Sequence, residues 1–296
     1  MNLYTAISEF LITQKIKGNS DKTLEYYVNI LQYFGDFVGD VELDTIKLSD
    51  LHNYYLHQSQ RDISTTTVQS YMRGLRAFLS WCYDEEYTSV RLTDKFKLPK
   101  AKKTVIDVLN DYEIQRLFLT FDLRTVLGLR DYCICSLMLD CGLRKNEVVK
   151  QTISRYKASD GYLIVLGKGN RERVVPMGFN TRKYLLKYHN KIKNLQGDFL
   201  FRKNNGEPIT DDTVKQLFAR LKANTGIQRL HPHLLRHTFA TRFIENGGDV
   251  FTLQQLLGHT TLEMSKRYTH LSNAKIVEKY RVFSPMDNIK KTHPKE

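Results

Sequence analysis

The chain has 296 residues, 41% hydrophobic and 26% charged, which is enough apolar content to bury cores and excludes a disordered polyelectrolyte. Lysine and arginine number 45 against 32 aspartates and glutamates, and the net charge of +13 favours a polyanionic partner, because each neutralised phosphate releases condensed counterions. Membrane is disfavoured: there is no apolar run of spanning length and no basic amphipathic tail, and residues 2–17 mix polar with apolar positions unlike a secretory signal.

The first hundred or so positions read as almost wholly helical. A helix is expected from Tyr4 to Lys17. A start signal at Asn19 and Ser20 precedes a second, with Leu24, Tyr27, Val28, Leu31 and Phe34 at helical spacing. Ser49 to Ser59 makes a shorter helix. Ser64 to Glu86 makes a longer one, striped by Val68, Tyr71, Met72, Leu75, Phe78 and Leu79. Arg73 and Arg76 on this helix are one turn apart and able to share a face, either solvated or, on DNA, contacting phosphates or entering the major groove. The basic, aperiodic segment from Lys95 to Thr104 reads as a linker, with Lys100, Lys102 and Lys103 as DNA-contact candidates. Asn110 with Glu113 spells a capping box, and Leu129 to Cys141 reads as a buried helix stopped by Gly142. Cys133, Cys135 and Cys141 fall in or at the end of that apolar stretch, as expected of buried reduced thiols in a cytosolic protein. The period then changes. Tyr162 to Leu166 and Arg171 to Met177 read as strands of a hairpin with Lys168 at its tip, and Arg171 and Arg173 are expected on backbone phosphates. Helices resume at Thr181–Lys193, Asp211–Asn224, His233–Asn246, Phe251–Leu257, Thr261–Tyr268 and Asn273–Phe283, before a basic tail.

Four segments carry chemistry: Cys141-Gly-Leu-Arg-Lys-Asn-Glu147, the Lys168 turn, His231-Pro-His-Leu-Leu-Arg-His237, and Leu257-Gly-His259 with Tyr268 nine residues on. A DNA phosphodiester is an anion whose displacement puts charge on its equatorial oxygens, and fixed cations aimed there supply most of the catalysis. Arginine suits the task, being always protonated, planar and forked. Arg144 and Arg236 are the expected pair, with Glu147 one turn from Arg144 and able to orient it. A phenol of pKa ~10 is only about one part in a thousand ionised at neutral pH, so a tyrosine nucleophile needs a proton acceptor or cation assistance. Tyr268 is that candidate, with His233 and His259 as possible helpers. His233 is three residues before Arg236, so one helix can aim both at one phosphate. Lys168 at the hairpin tip is placed to protonate the leaving sugar oxygen. The histidines lack an accompanying cysteine pair, so a metal site is not expected, and His231 has no assignable role.

In this order the four segments resemble the signature of the tyrosine recombinases, also called phage integrases, over residues 110–268. The resemblance implies catalytic roles for Arg144, Lys168, His233, Arg236, His259 and Tyr268, with His233 on base or hydrogen-bond duty and His259 on the phosphate. It implies cleavage and rejoining through a 3′-phosphotyrosyl link without ATP, metal or other cofactor. The expected fold is mainly α: an N-terminal helical bundle resembling the SAM-like core-binding domain over 1–98, a basic linker over 99–107, a mixed α+β catalytic domain with a small antiparallel sheet over 108–283, and a basic tail over 284–296. The two domains are expected to clamp double-stranded DNA in a C-shape, with four protomers on two sites, monomeric or dimeric when free, and no membrane partner. The tail, with apolar Ile276, Val277 and Tyr280, is expected to pack on a neighbour or on its own domain. The region before residue 108 leaves no room for an arm-site-binding domain, so the expectation is a two-domain recombinase, cytoplasmic and nucleoid-associated, of bacterial or mobile-element origin. Two rivals share these residues: a type IB topoisomerase, and a non-catalytic regulator on an integrase scaffold.

Overall fold

A computed structural model describes residues 1–96, 107–167, 171–195 and 197–258. The chain divides into two compact units, Met1–Val105 and Ile106–Glu296.

The N-terminal unit is a helical bundle of α1 (Leu3–Ile16), α2 (Asp21–Val38), α3 (Leu48–Ser59), α4 (Thr65–Asp84) and the short α5 (Leu92–Lys95). The starts of α2 and α4 are written locally: the hydroxyls of Ser20 and Ser64 accept the N–H groups of Thr23 and Thr67, satisfying donors that the helix leaves unpaired. Alternate turns then point Phe10, Leu31, Phe34, Leu51, Met72, Leu75 and Phe78 into one core, each at most 1% exposed. Helix α4 stops at Asp84, two residues short of the sequence expectation, with Glu86 in the left-handed region at φ 61°.

The C-terminal unit runs α6 (Asp111–Phe118), α7 (Val126–Asp140), α8 (Lys145–Val149), β1 (Tyr156–Lys157), β2 (Tyr162–Leu166), β3 (Glu172–Pro176), α9 (Phe179–Ile192), α10 (Asp211–Thr225), α11 (Pro232–Glu245) and α12 (Val250–Leu257). The Asn110–Glu113 capping box forms as expected, with both reciprocal bonds at 2.9 and 3.0 Å. Helix α7 is buried along most of its length and packs against α9 and α11, so it is the spine of this unit. The sheet is antiparallel in the order β1-β2-β3, with Val165 opposite Arg173 and Leu163 opposite Val175. Leu163, Val165 and Val175 are its buried face. A satellite cluster of Ala240, Ile244, Leu253 and Leu257 ties α12 to α11. The four cysteines are free and buried. Sequence reading missed β1, α5 and α8, all too short for periodicity to register. The helices expected at Thr261–Tyr268 and Asn273–Phe283 lie outside the described residues.

Candidate active site

The site begins where α7 ends. Gly142 takes φ 64°, a conformation that costs a side chain, and a Cβ there would lie 2.5 Å from the Phe239 ring. The chain therefore reverses tightly and delivers Arg144 as the residue just before α8. Glu147, at the third position of that helix, accepts the Arg144 backbone N–H at 2.8 Å and its Nη1 at 2.9 Å. The Glu147 side chain is 6% exposed while that of Arg144 is 34% exposed. The carboxylate thus holds the guanidinium from behind and leaves part of it open to solvent.

Helix α11 supplies the next groups. Pro232 occupies its first turn, where a missing N–H costs nothing. His231 precedes it as the cap: its Nδ1 accepts the N–H of Leu234 at 3.1 Å. That is a structural duty for a residue to which sequence reading assigned none. His233 lies exposed on the first turn, and Arg236 one turn further is buried. Arg236 donates through Nη1 to the Gly142 carbonyl and through Nη2 to the Leu257 carbonyl at 2.7 Å. Its Nη1 also lies 4.0 Å from Glu147 Oε2. Arg144 and Arg236, 92 positions apart in sequence, therefore meet on one carboxylate. Partial burial, and then the positive charges of Arg236, Arg144 and Lys145, push the His233 pKa below the usual imidazole value. The ring is therefore neutral at neutral pH and has a nitrogen free of a proton.

A third guanidinium converges on Glu147. Arg173 Nη1 and Nη2 donate to its two oxygens at 2.9 and 2.8 Å, and Arg173 Nε donates to the Leu256 carbonyl at 2.7 Å. With a side chain 11% exposed, Arg173 is not on the surface where a phosphate contact was expected. This corrects the sequence reading, and strand alternation explains it: Arg173 shares a face with buried Val175 and pairs with buried Val165. That signal was present in the sequence, and the charge of the side chain masked it. Burial works to raise the Glu147 carboxyl pKa, but the hydrogen bonds and charge of Arg173, then those of Arg144, outweigh it and hold it below the usual carboxylate value.

Arg171, by contrast, is exposed, beside a backbone bond from Gly167 N–H to its own carbonyl at 2.8 Å that closes the described part of the hairpin. In the N-terminal unit Arg73 is exposed, whereas Arg76 is half-buried and donates to the Thr93 carbonyl. The two do not share one solvated face. Lys168, His259 and Tyr268, and the linker lysines Lys100, Lys102 and Lys103, lie outside the described residues. What is described is a charged platform: a part-exposed guanidinium and a buried one beside it, set by one carboxylate, with the His233 imidazole on the same helix as the buried one.

Three comparisons bear on this platform. The profile of the Phage integrase family matches residues 107–275, and that of the Phage integrase SAM-like domain matches residues 2–98. The chain is 30% identical over 292 residues to the tyrosine recombinase XerD of Oceanobacillus iheyensis, covering 95% of this chain and 98% of that protein. It is 33% identical to the tyrosine recombinase XerC of Staphylococcus haemolyticus, covering 92% and 94% of the two chains. Among solved structures, the Tn1549 transposon integrase in complex with circular intermediate DNA superposes with a TM-score of 0.78 at 20% identity, over 96% of this chain and 99% of that one. The likeness to that structure is one of fold.

Proposed function

The chain belongs to the phage integrase family and is a tyrosine recombinase acting in site-specific recombination, and from that premise we propose how its own residues divide the work. Arg144 and Arg236 bind the non-bridging oxygens of the scissile phosphate. The observation that carries this is their meeting on Glu147, with His233 one turn before Arg236 on the same helix. The Tyr268 oxygen attacks phosphorus. One bond forms between the two as the bond from phosphorus to the sugar 5′ oxygen breaks. His233 takes the phenolic proton, Lys168 protonates the leaving 5′ oxygen, and His259 donates a hydrogen bond to the phosphate. The product is a 3′-phosphotyrosyl link and a free 5′-hydroxyl. One phosphoester replaces another, so the 5′-hydroxyl of a second duplex reverses the attack and completes exchange.

The remaining assignments belong to the same reading. A core-binding domain over 1–98 and a catalytic domain over 108–283, joined by a linker over 99–107, both bind double-stranded DNA. Arg73, Arg171 and the linker lysines Lys100, Lys102 and Lys103 contact phosphates. Four protomers on two sites exchange strands, in the bacterial cytoplasm on the nucleoid.

The test is covalent trapping. The full chain is incubated with a randomised library of nicked duplexes, and DNA that migrates with protein in denaturing detergent is sequenced. The parent chain is expected to trap a defined site through its 3′ phosphate, while Tyr268→Phe binds the same duplex and traps none. Adducts persisting in that variant refute the nucleophile assignment. Exchange between two labelled duplexes, as opposed to relaxation of a supercoiled circle alone, separates recombination from topoisomerase action.

A further inference from the structure

A charge on the core-facing side of a sheet survives only with partners, because taking it out of water is costly. Arg173 has two kinds. Two of its nitrogens grip both oxygens of Glu147, and its third donates to the carbonyl of Leu256 at the C-terminal end of α12. Arg236 binds the very next carbonyl, that of Leu257, while its other nitrogen reaches the Gly142 turn. The two arginines run side by side from the α7–α8 turn to the end of α12. Leu256 stands three positions before His259 in the sequence, and Arg173 five positions after Lys168. One side chain on β3 is therefore bonded to the residue that holds Arg144 and to the segment that leads to His259, on the strand that leads from Lys168.

We propose that Arg173 is a positioning residue for strand cleavage: by saturating Glu147 and pinning the end of α12, it keeps the Arg144 guanidinium turned toward the scissile phosphate. The proposal rests on the reading of Arg144 and Arg236 as the phosphate-binding pair. Glu147 is a buried anion, and inside the protein its field is weakly screened. With Arg173 in place, both carboxylate oxygens already have bidentate donors, and the Arg144 side chain needs to give only one nitrogen. Without Arg173 the carboxylate draws its compensation from Arg144 and Arg236, the two groups whose charge the phosphate requires. Loss of Arg173 then lowers the rate of the chemical step without removing any contact to DNA.

The experiment uses the full chain and the nicked duplex recovered by trapping, with duplex affinity and single-turnover cleavage measured separately. Arg173→Met is expected to bind with unchanged Kd and unchanged salt dependence, and to cleave more slowly by on the order of 10²-fold. Arg173→Lys, which keeps the charge but loses the fork, is expected to restore part of that rate. In Glu147→Gln the rate is already low, and adding Arg173→Met is expected to lower it little further, because the two residues act as one unit. Rate losses that multiply in the double variant overturn the proposal. So does an Arg173→Met chain that cleaves at the parent rate, or one whose defect is weaker binding with a salt slope reduced by about one, the mark of a lost phosphate contact. Arg144→Ala is assayed in parallel. Cleavage lost there but intact in Arg173→Met sinks only the positioning role, whereas cleavage intact in Arg144→Ala sinks the underlying assignment. Should Arg173→Met fail to fold, by thermal melting, Arg173→Lys carries the test: folded with slowed cleavage is expected, and folded with parental cleavage is the overturning result.

Discussion

Arg144 and Arg236 are given the same chemical task but hang from the fold in different ways, and truncating each to alanine separates chemistry from architecture. Arg236 is 5% exposed and its two terminal nitrogens satisfy the carbonyls of Gly142 and Leu257, both buried residues. Arg236→Ala orphans both, at about 1–3 kcal/mol each, so about 2–6 kcal/mol in all. That is a large share of the roughly 5–15 kcal/mol by which a domain is stable. Arg144→Ala keeps the backbone bond to Glu147, and the carboxylate keeps both nitrogens of Arg173. Its cost is that of a part-exposed ion pair, about 1 kcal/mol or less. Two units need not unfold together, so the assay is local: amide hydrogen exchange of peptides covering α11 and residues 142–149. At about 1.4 kcal/mol per decade, protection is expected to fall by roughly 30-fold to 10⁴-fold in Arg236→Ala and by less than about tenfold in Arg144→Ala. Each variant loses strand cleavage by on the order of 10²–10³ at least. Equal loss of protection in both refutes the reasoning, because it means the two carbonyls draw nothing from Arg236.

Two further outcomes follow from the same geometry. His231 caps α11 through an unprotonated Nδ1, and partial burial, then the charge of neighbouring His233, hold its pKa below the ordinary imidazole value. The folded state therefore binds this proton less readily than the unfolded one. The cap's contribution is complete above about pH 6.5 and is lost as pH falls through the lower folded-state value. Exchange protection of α11 is expected to drop on acidification, and His231→Asn, a cap that does not titrate, to flatten part of that drop; an unchanged curve contradicts the role. In the N-terminal unit, exposed Arg73 and half-buried Arg76 predict different defects. Arg73→Ala is expected to lower the salt slope of duplex binding by about one, and Arg76→Ala to leave that slope alone while loosening the link from α4 to Thr93. A reduced slope in Arg76→Ala reverses the assignment.

What the sequence determined alone was whatever neighbouring residues settle among themselves. Ser20, Ser64 and Asn110 name helix starts because a side-chain oxygen reaches an N–H only three residues on. Gly142 names the end of α7 because only glycine takes its left-handed backbone there without cost. An apolar run and a β-branched return either side of a glycine turn named β2 and β3, and the order of the four chemical segments named the family. Tertiary structure decided which charges face one another. Nothing local says that Arg173 turns inward onto Glu147, or that Arg236 spends its nitrogens on the Gly142 and Leu257 carbonyls. Those partners lie 26, 94 and 21 residues away in the chain, and they become neighbours only once the α7–α8 turn, β3, α11 and the end of α12 have packed together. His231 falls between the two. Its place before a proline at a helix start was visible, but an imidazole takes up a cap only if its Nδ1 is held free of a proton, and partial burial, with His233 and Lys222 of the folded protein nearby, favours that state.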